Sequence, residues 1–152
     1  MSNIPTGWKL QSIENLASPR GIAYGVLKPG PETESGVIML RVKDVAGDVV
    51  NVASAYRIAP TLDEEFRRTR LAGGELLVSI QGTVGRVAIV PDHLAGSNVS
   101  RTLAVIRLRE PSVGEWLRAA LRSPQGQELM RRSTGGTTRD SLNLGDLRQL
   151  EL

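Results

Sequence analysis

The chain of 152 residues contains no cysteine and a single histidine, His93. Without cysteine there is no disulfide bond, no thiolate metal site and no cysteine nucleophile. One histidine also excludes histidine-rich metal sites and leaves one candidate for a serine-type catalytic triad. The longest apolar runs, such as 36–40 and 87–90, are far too short to span a bilayer. The N-terminus lacks the layout of a secretory signal, so we expect a cytoplasmic protein without a membrane partner.

Lysine is scarce too, because only 3 of the 19 basic residues are lysines and the other 16 are arginines. Residues 1–78 hold nine basic and nine acidic residues, whereas residues 79–139 hold nine arginines against four acidic residues. Arginine presents a planar fork of donors that matches phosphate oxygens and the guanine edge. The excess in 79–139 is therefore typical of nucleic-acid binding, although genomic base composition and solvated helix faces explain it equally well.

Five β-rich runs predict strands, at 36–42, 49–52, 75–80, 84–90 and 103–108. The runs 75–80 and 84–90 flank Gln81-Gly82-Thr83, which predicts a hairpin with glycine in its turn. We expect a break at 18–21, a loop at 24–31 and a turn at 44–48. The run 103–108 has apolar residues at both alternating sets of positions, as in a strand whose two faces are both partly covered.

Three helix starts are predicted. Thr61 with Glu64 forms a capping box that opens a charged helix through about Leu71, and Ser112 with Glu115 forms a second capping box. Ser123 is expected to cap a further helix that has Pro124 at its first position. Helices and strands mix without a strict βαβ order, so residues 1–152 are predicted to form one α+β domain, a mixed or antiparallel twisted sheet with flanking helices.

Catalytic and metal constellations are weak. His93 lies in a turn-like segment, and its sequence neighbour Asp92 is not thereby an orienting carboxylate. The acidic residues 63–65 point in different directions on a helix, so we expect capping and solvation rather than a metal site. The glycine-rich segments 82–85 and 135–138 lack the Walker spacing and its lysine. We therefore expect no catalytic residue, no metal and no bound nucleotide.

Six segments, read in order, resemble a target recognition domain of the specificity (S) subunit of type I restriction–modification enzymes. They are PTGWK at 5–9, YGVLKPG at 24–30, LRVKDV at 40–45, GELLVSIQGTVGRVA at 74–88, NVSR at 98–101, and GGTT at 135–138 with Leu142. The hairpin block 74–88 is the most specific of them. Together the six segments are distributed over nearly the whole chain, from residue 5 to residue 142.

The resemblance implies a non-catalytic reader of double-stranded DNA in a phage-defence system. In that family an S subunit carries two such domains, separated by long helices, and each domain reads half of a split target. Methyltransferase subunits supply S-adenosylmethionine and the methyl transfer, and a motor-nuclease subunit cuts. The implied partners of this chain are DNA, those subunits, and a second recognition domain or a second copy of the chain. No cofactor is expected on the chain itself.

The resemblance also implies which loops face DNA. The residues that it assigns to DNA binding are Tyr24, Lys28, Lys43, Ser79, Gln81, Thr83, Arg86, Asn98, Ser100, Arg101, Thr137, Thr138 and Arg139. Arg86 and Arg101 are the strongest candidates, because each lies at a loop–strand junction in a family-like motif. Gln81 is the candidate for a base-edge contact, since a glutamine can bond adenine N6 and N7 together.

Several of these aromatic and basic residues have structural alternatives. Trp8 and Trp116 are expected in the core or half-buried, and Tyr24 either plugs the core or contacts DNA. Arg41 is expected either to form an ion pair with Asp44 or Asp48, or to contact a phosphate. The family would continue beyond 144–152 with a spacer helix, so we expect an excised domain, a half-length subunit or a truncated gene product that binds methyltransferase subunits poorly.

Other functions stay open at this point. The chain could be the recognition domain of a fused restriction–methylation enzyme or of another phage-defence methyltransferase. It could also be a protein-interaction module that uses the same loops, in which case an unselected duplex would show no salt-dependent binding. An enzyme would require His93 to be essential.

Overall fold

A four-stranded antiparallel sheet organises the computed structural model, which describes residues 4–134 and 141–152. Its strands, in spatial order, are β1 (Ala17–Tyr24), β9 (Leu103–Leu108), β6 (Leu76–Ser79) and β7 (Val87–Ile89). Strands β6 and β7 form the predicted hairpin. The first four residues of β9, 103–106, are fully buried, which confirms a strand that is covered on both faces.

Within residues 4–134 and 141–152, two smaller sheets accompany the large one. In the first, β2 (Val37–Leu40) pairs antiparallel with β5 (Tyr56–Ile58) and parallel with β8 (Asn98–Val99). In the second, β3 (Val45–Ala46) and β4 (Val49–Val50) form a short antiparallel hairpin where the sequence predicts a turn followed by a strand. The fold therefore combines antiparallel and mixed sheets.

In the described residues, five helices flank these sheets and four 3₁₀ turns connect elements. The helices are α1 (Ile13–Leu16), α2 (Pro60–Glu65), α3 (Gly114–Arg122), α4 (Pro124–Arg132) and α5 (Leu144–Gln149). The 3₁₀ turns are Val42–Asp44, Arg67–Thr69, Asp92–Leu94 and Pro111–Val113. This arrangement confirms the α+β class. Among residues 4–134 and 141–152, no helix combines the length and apolar character that a membrane crossing requires.

Each face of the large sheet packs against its own core. Leu76 and Val78 of β6 pack with Leu117 and Leu121 of α3, while the intervening Leu77 packs on the opposite face with Leu40. Successive strand side chains point to opposite faces, so β6 contributes to both cores at once. The loops at the strand ends are thereby held by a sheet that is packed on both sides.

The starts of two helices differ from the predicted capping boxes. Helix α2 begins at Pro60, after Ala59, and ends at Glu65, so Thr61 lies inside its first turn. Helix α3 follows Val113 without a side-chain cap, because Ser112 belongs to the preceding 3₁₀ turn. In both cases a proline starts the turn one residue earlier than the predicted cap. Ser123 does cap α4, since its hydroxyl accepts the amide of Gly126 at 3.1 Å.

Three further expectations are wrong. The predicted break at 18–21 lies inside β1, where the pairing with β9 shifts register and Arg20 takes a φ of +57°, so the segment is a bulge rather than a break. Trp8 is 63% exposed and does not enter the core, while Trp116 is partly exposed at 39%. Asp63 is buried rather than solvated, because it accepts hydrogen bonds from other elements.

Candidate nucleic-acid interface

Three of the predicted DNA-facing loops meet where β1 and β2 end and β8 leads into β9. The amide of Val26 donates to the carbonyl of Val99 at 2.8 Å, and the amide of Arg101 donates back to Val26 at 3.0 Å. The amide of Ser100 donates to the carbonyl of Leu40 at 2.8 Å. These bonds hold the segments 24–28, 40–45 and 98–102 side by side.

The hairpin between β6 and β7 joins the same surface. The amide of Ile80 donates to the carbonyl of Thr102 at 2.9 Å, and the hydroxyl of Thr102 accepts the amide of Val42 at 3.3 Å. Gln81 also forms a β-bridge with Ser141, just after the segment 135–140. Residues far apart in sequence are thus brought into one group of loops, hereafter the loop face, defined as 24–28, 40–45, 79–86 and 98–102.

Six predicted site residues present accessible side chains on the loop face. Tyr24, Lys28, Lys43, Thr83 and Arg101 are exposed, and Gln81 is partly exposed. Within the part of the chain that the structure describes, no ion pair engages Lys28, Lys43 or Arg101. The loop face therefore combines cationic groups, which suit phosphates, with hydroxyl and amide groups, which suit base edges.

Three predicted site residues are buried and do not reach this surface. Ser79 is fully buried, and its hydroxyl accepts the amide of Arg86 at 2.8 Å. Asn98 is also fully buried, so the expectation that these two side chains contact DNA is wrong. Ser100 is 7% exposed, and its hydroxyl lies 2.5 Å from that of Thr102. The Ser100 hydroxyl is therefore also hydrogen-bonded within the protein.

Two arginines of the loop face are engaged by the protein itself. The Nη1 atom of Arg86 donates to the carbonyls of Val42 at 2.9 Å and Val45 at 3.0 Å. Arg86 is partly exposed, so the expectation that it contacts DNA stays a prediction, although its Nη1 atom is already engaged. Arg41 lies 3.5 Å from the carboxylate of Asp44 and 5.4 Å from the ring centroid of Tyr56, which confirms the structural alternative for Arg41 with Asp44 as its partner.

A buried polar network behind the loop face has no signal in the sequence. The side-chain amide of Asn98 donates to Asp63 at 2.9 Å and to the carbonyl of Phe66 at 3.1 Å. Arg70 donates to Asp63 from its Nε at 2.9 Å. Hydrogen bonds from the Arg70 guanidinium to Asp63 and then Glu64 raise the pKa of Arg70, so this arginine stays charged.

Some predictions lie elsewhere or outside the described residues. Thr137, Thr138 and Arg139 fall in 135–140, which the structure does not describe. His93 is exposed in the 3₁₀ turn Asp92–Leu94 and does not belong to the loop face. In residues 4–134 and 141–152, no cluster of three or more histidine or acidic residues could hold a metal ion.

One curated protein and several solved structures are similar to this chain. The chain is 30% identical over 149 residues to the specificity subunit of the type I restriction enzyme EcoBI of Escherichia coli, covering 95% of this chain and 31% of that subunit. The chain thus spans about a third of the length of the relative that it matches. No protein-family model matches it.

The similar structures share its fold at lower identity. The S subunit of a type I restriction–modification system from M. genitalium matches with a TM-score of 0.62 and 18% identity, over 99% of this chain and 35% of that one. The HsdS subunit from Thermoanaerobacter tengcongensis matches with a TM-score of 0.64 and 18% identity, over 99% and 33% of the two chains. A structure that concerns complex assembly and conformational transition of the type I system matches with a TM-score of 0.66 and 17% identity, over 99% and 35%. The chain is therefore similar in sequence to one specificity (S) subunit of a type I restriction–modification enzyme and similar in fold to others, as its motifs predict.

Proposed function

We propose that the chain is a DNA target recognition domain that reads one half of a bipartite duplex target. The observation that carries this proposal is the loop face, where Lys28, Lys43 and Arg101 are exposed around the polar side chains of Gln81 and Thr83. Cations of this kind neutralise phosphates, and polar side chains with both donors and acceptors read base edges. Four sequence segments supply one surface, as a reader of several adjacent bases requires.

The division of labour on the loop face follows from side-chain chemistry. Lys28, Lys43 and Arg101 place the domain on the phosphate backbone, and they carry little sequence information. Gln81 reads a base edge from the hairpin tip, where the amide can bond adenine N6 and N7 together. A single domain reads few base pairs, so its affinity is weak and depends steeply on salt.

We further propose that the chain leaves chemistry to partner subunits. Methyl transfer, with its S-adenosylmethionine, and DNA cleavage are assigned to a methyltransferase and a motor-nuclease subunit of a type I complex. A second recognition domain, or a second copy of this chain, reads the other half of the target. Support comes from the loop face itself, whose side chains suit contacts to phosphates and base edges.

Duplex binding by variants of the loop face tests the proposal. A fluorescent mixed-sequence duplex is titrated with the wild type, Lys43→Gln and Arg101→Gln at several salt concentrations. Each substitution is expected to weaken binding and to reduce the slope of log K against log salt by about one. The matched control is Arg109→Gln, an exposed arginine just beyond the opposite end of β9, which should leave both quantities unchanged.

A wild type that shows no salt-dependent binding to any duplex contradicts the proposal. In that case a protein-interaction role for the loop face becomes the better account. Equal losses in Arg109→Gln and Arg101→Gln would also count against it, because binding would then follow net charge rather than this surface.

A further inference from the structure

Arg86 connects two parts of the loop face that are distant in sequence. Its backbone is fixed on the hairpin, because its amide donates to the buried hydroxyl of Ser79 and its carbonyl accepts the amide of Ser79 at 2.9 Å. Its side chain crosses to the segment 42–45, where Nη1 donates to the carbonyls of Val42 and Val45. One residue thereby ties the hairpin to the 3₁₀ turn Val42–Asp44.

Lys43 lies between the two carbonyls that Arg86 holds. The carbonyl of Val42 also accepts the amide of Val45 as the 3₁₀ turn ends, so Arg86 adds a cation where carbonyl oxygens converge. The other end of the turn is held by Asp44, whose carboxylate accepts the amide of Arg41 at 2.8 Å. The backbone that carries Lys43 is thus fixed at both ends, while its side chain is exposed.

The cations of the loop face therefore fall into two groups. Lys28, Lys43 and Arg101 are exposed, and no ion pair engages them within residues 4–134 and 141–152. Arg86 and Arg41 are partly buried and donate to backbone carbonyls of the protein, Arg41 to that of Ser54 at 3.1 Å. For Arg86 to bind a phosphate through the same nitrogen, it would have to give up two hydrogen bonds that it already makes.

We infer that Arg86 is a positioning residue, which holds Lys43 in place to contact a phosphate and does not itself bind DNA. This inference rests on the proposed DNA-binding function. It has a consequence that a direct contact does not share: the effects of Arg86 and Lys43 on DNA binding must be coupled, because both act through one phosphate contact.

A double-mutant cycle on the salt dependence of duplex binding tests the inference. The probe is a fluorescent mixed-sequence duplex, and the variants are Arg86→Gln, Lys43→Gln and their combination. Lys43→Gln is expected to lower the salt slope by about one, and the double variant is expected to lower it by the same amount. The matched control pairs Lys43→Gln with Arg101→Gln, two proposed direct contacts, for which the losses should add to about two.

The outcomes separate the inference from the function on which it rests. If the Arg86→Gln and Lys43→Gln losses add to about two, Arg86 binds a phosphate itself and the inference is overturned while the function stands. If the wild type shows no salt-dependent binding, the proposed function fails and the inference fails with it. If Lys43→Gln leaves the slope unchanged although the wild type binds, the inference is likewise overturned.

A second measurement on the wild type avoids the risk that Arg86→Gln does not fold. Nitrogen-15 NMR of the arginine side chains reports rotation of the guanidinium and its change on addition of the duplex. Arg86 is expected to show hindered rotation in the free protein and little change with DNA, whereas Arg101 should rotate freely and then shift. A freely rotating Arg86 that shifts like Arg101 overturns the inference.

Discussion

The side-chain amide of Asn98 lies 2.9 Å from Oδ1 of Asp63, and both residues are buried. Asn98 uses its carbonyl oxygen as well, which accepts the hydroxyl of Thr69 at 2.8 Å and the amide of Val99 at 2.9 Å. The amide group is thus satisfied by three segments of the chain. These hydrogen bonds fix the start of β8. Asn98 lies two residues before Ser100 and three before Arg101, so they also hold the beginning of that loop-face segment.

Replacing Asn98 by alanine should destabilise the protein strongly. Asn98→Ala leaves Asp63, Thr69 and the carbonyl of Phe66 without a partner that they have in the wild type. Asp63 keeps Arg70, and Thr69 keeps the carbonyl of Phe66. Since each lost hydrogen bond costs about 0.5–1.5 kcal/mol, we expect the free energy of unfolding to fall by about 2 kcal/mol. Urea unfolding measures this, with the exposed Asn51→Ala as control. A loss of under about 1 kcal/mol would contradict the structural role.

The two serines that the sequence predicts as helix caps should behave differently. Ser123→Ala removes an observed cap from α4 and should cost about 1 kcal/mol of unfolding free energy. Ser112→Ala removes no observed cap and should stay within about 0.5 kcal/mol of the wild type. Thermal or urea unfolding of the pair checks this, and equal losses for the two variants would show that the helix starts are wrongly placed.

Gly25 is required by the close approach of two loop-face segments. A Cβ atom on Gly25 would overlap the carbonyl group of Val99, to which the amide of the next residue, Val26, donates. We expect Gly25→Ala to cost about 1–3 kcal/mol and to weaken duplex binding, because it forces the segments 24–28 and 98–102 apart.

Gly114→Ala is the control for that prediction. Gly114 is helical, and an added Cβ would meet neighbouring side chains only at ordinary distances of 3.7 Å or more. Alanine there should leave the protein as stable as the wild type or more stable by up to about 1 kcal/mol. If Gly25→Ala is tolerated as well as Gly114→Ala, the described packing of the loop face is incorrect.

Glu128 should titrate at unusually low pH. Hydrogen bonds from Arg131 first and Arg132 second lower the pKa of Glu128 from 4.5 to about 2. The folded-state pKa is below the unfolded value, so the stabilisation is complete above about pH 4.5 and is lost as the pH falls towards 2. Carboxyl NMR measures this titration. Arg131→Gln should raise the pKa of Glu128 towards 4.5, and a normal value in the wild type would contradict the ion pairs.

Features that depend on local patterns were predictable from the sequence. The hairpin of β6 and β7, the doubly covered strand β9 and the Ser123 cap follow from residues that are neighbours in the chain. The α+β class and the resemblance to S subunits also follow from the order of such segments. Exposed candidates on the loop face, such as Arg101 and Thr83, were correctly placed in loops.

Features that depend on distant partners were not predictable. Arg86 bonds to Val42, which lies 44 positions earlier, and no local pattern shows that its guanidinium is engaged. The sequence predicts Asn98 to be a polar loop residue. Its side chain is buried because Asp63 and Thr69, from another segment, supply its hydrogen-bond partners. Prolines at 60 and 111 shifted two helix starts by forming the first turn themselves.

Selection from a randomised duplex pool tests the central claim most directly. The wild type, and in parallel Gln81→Ala, are used to enrich bound duplexes at moderate salt, and the recovered sequences are compared with the starting pool. We expect the wild type to enrich one short motif, and Gln81→Ala to lose preference at one position while keeping its salt slope. Salt-dependent binding without any enriched motif, or no binding at all, would contradict the claim that this domain reads DNA sequence.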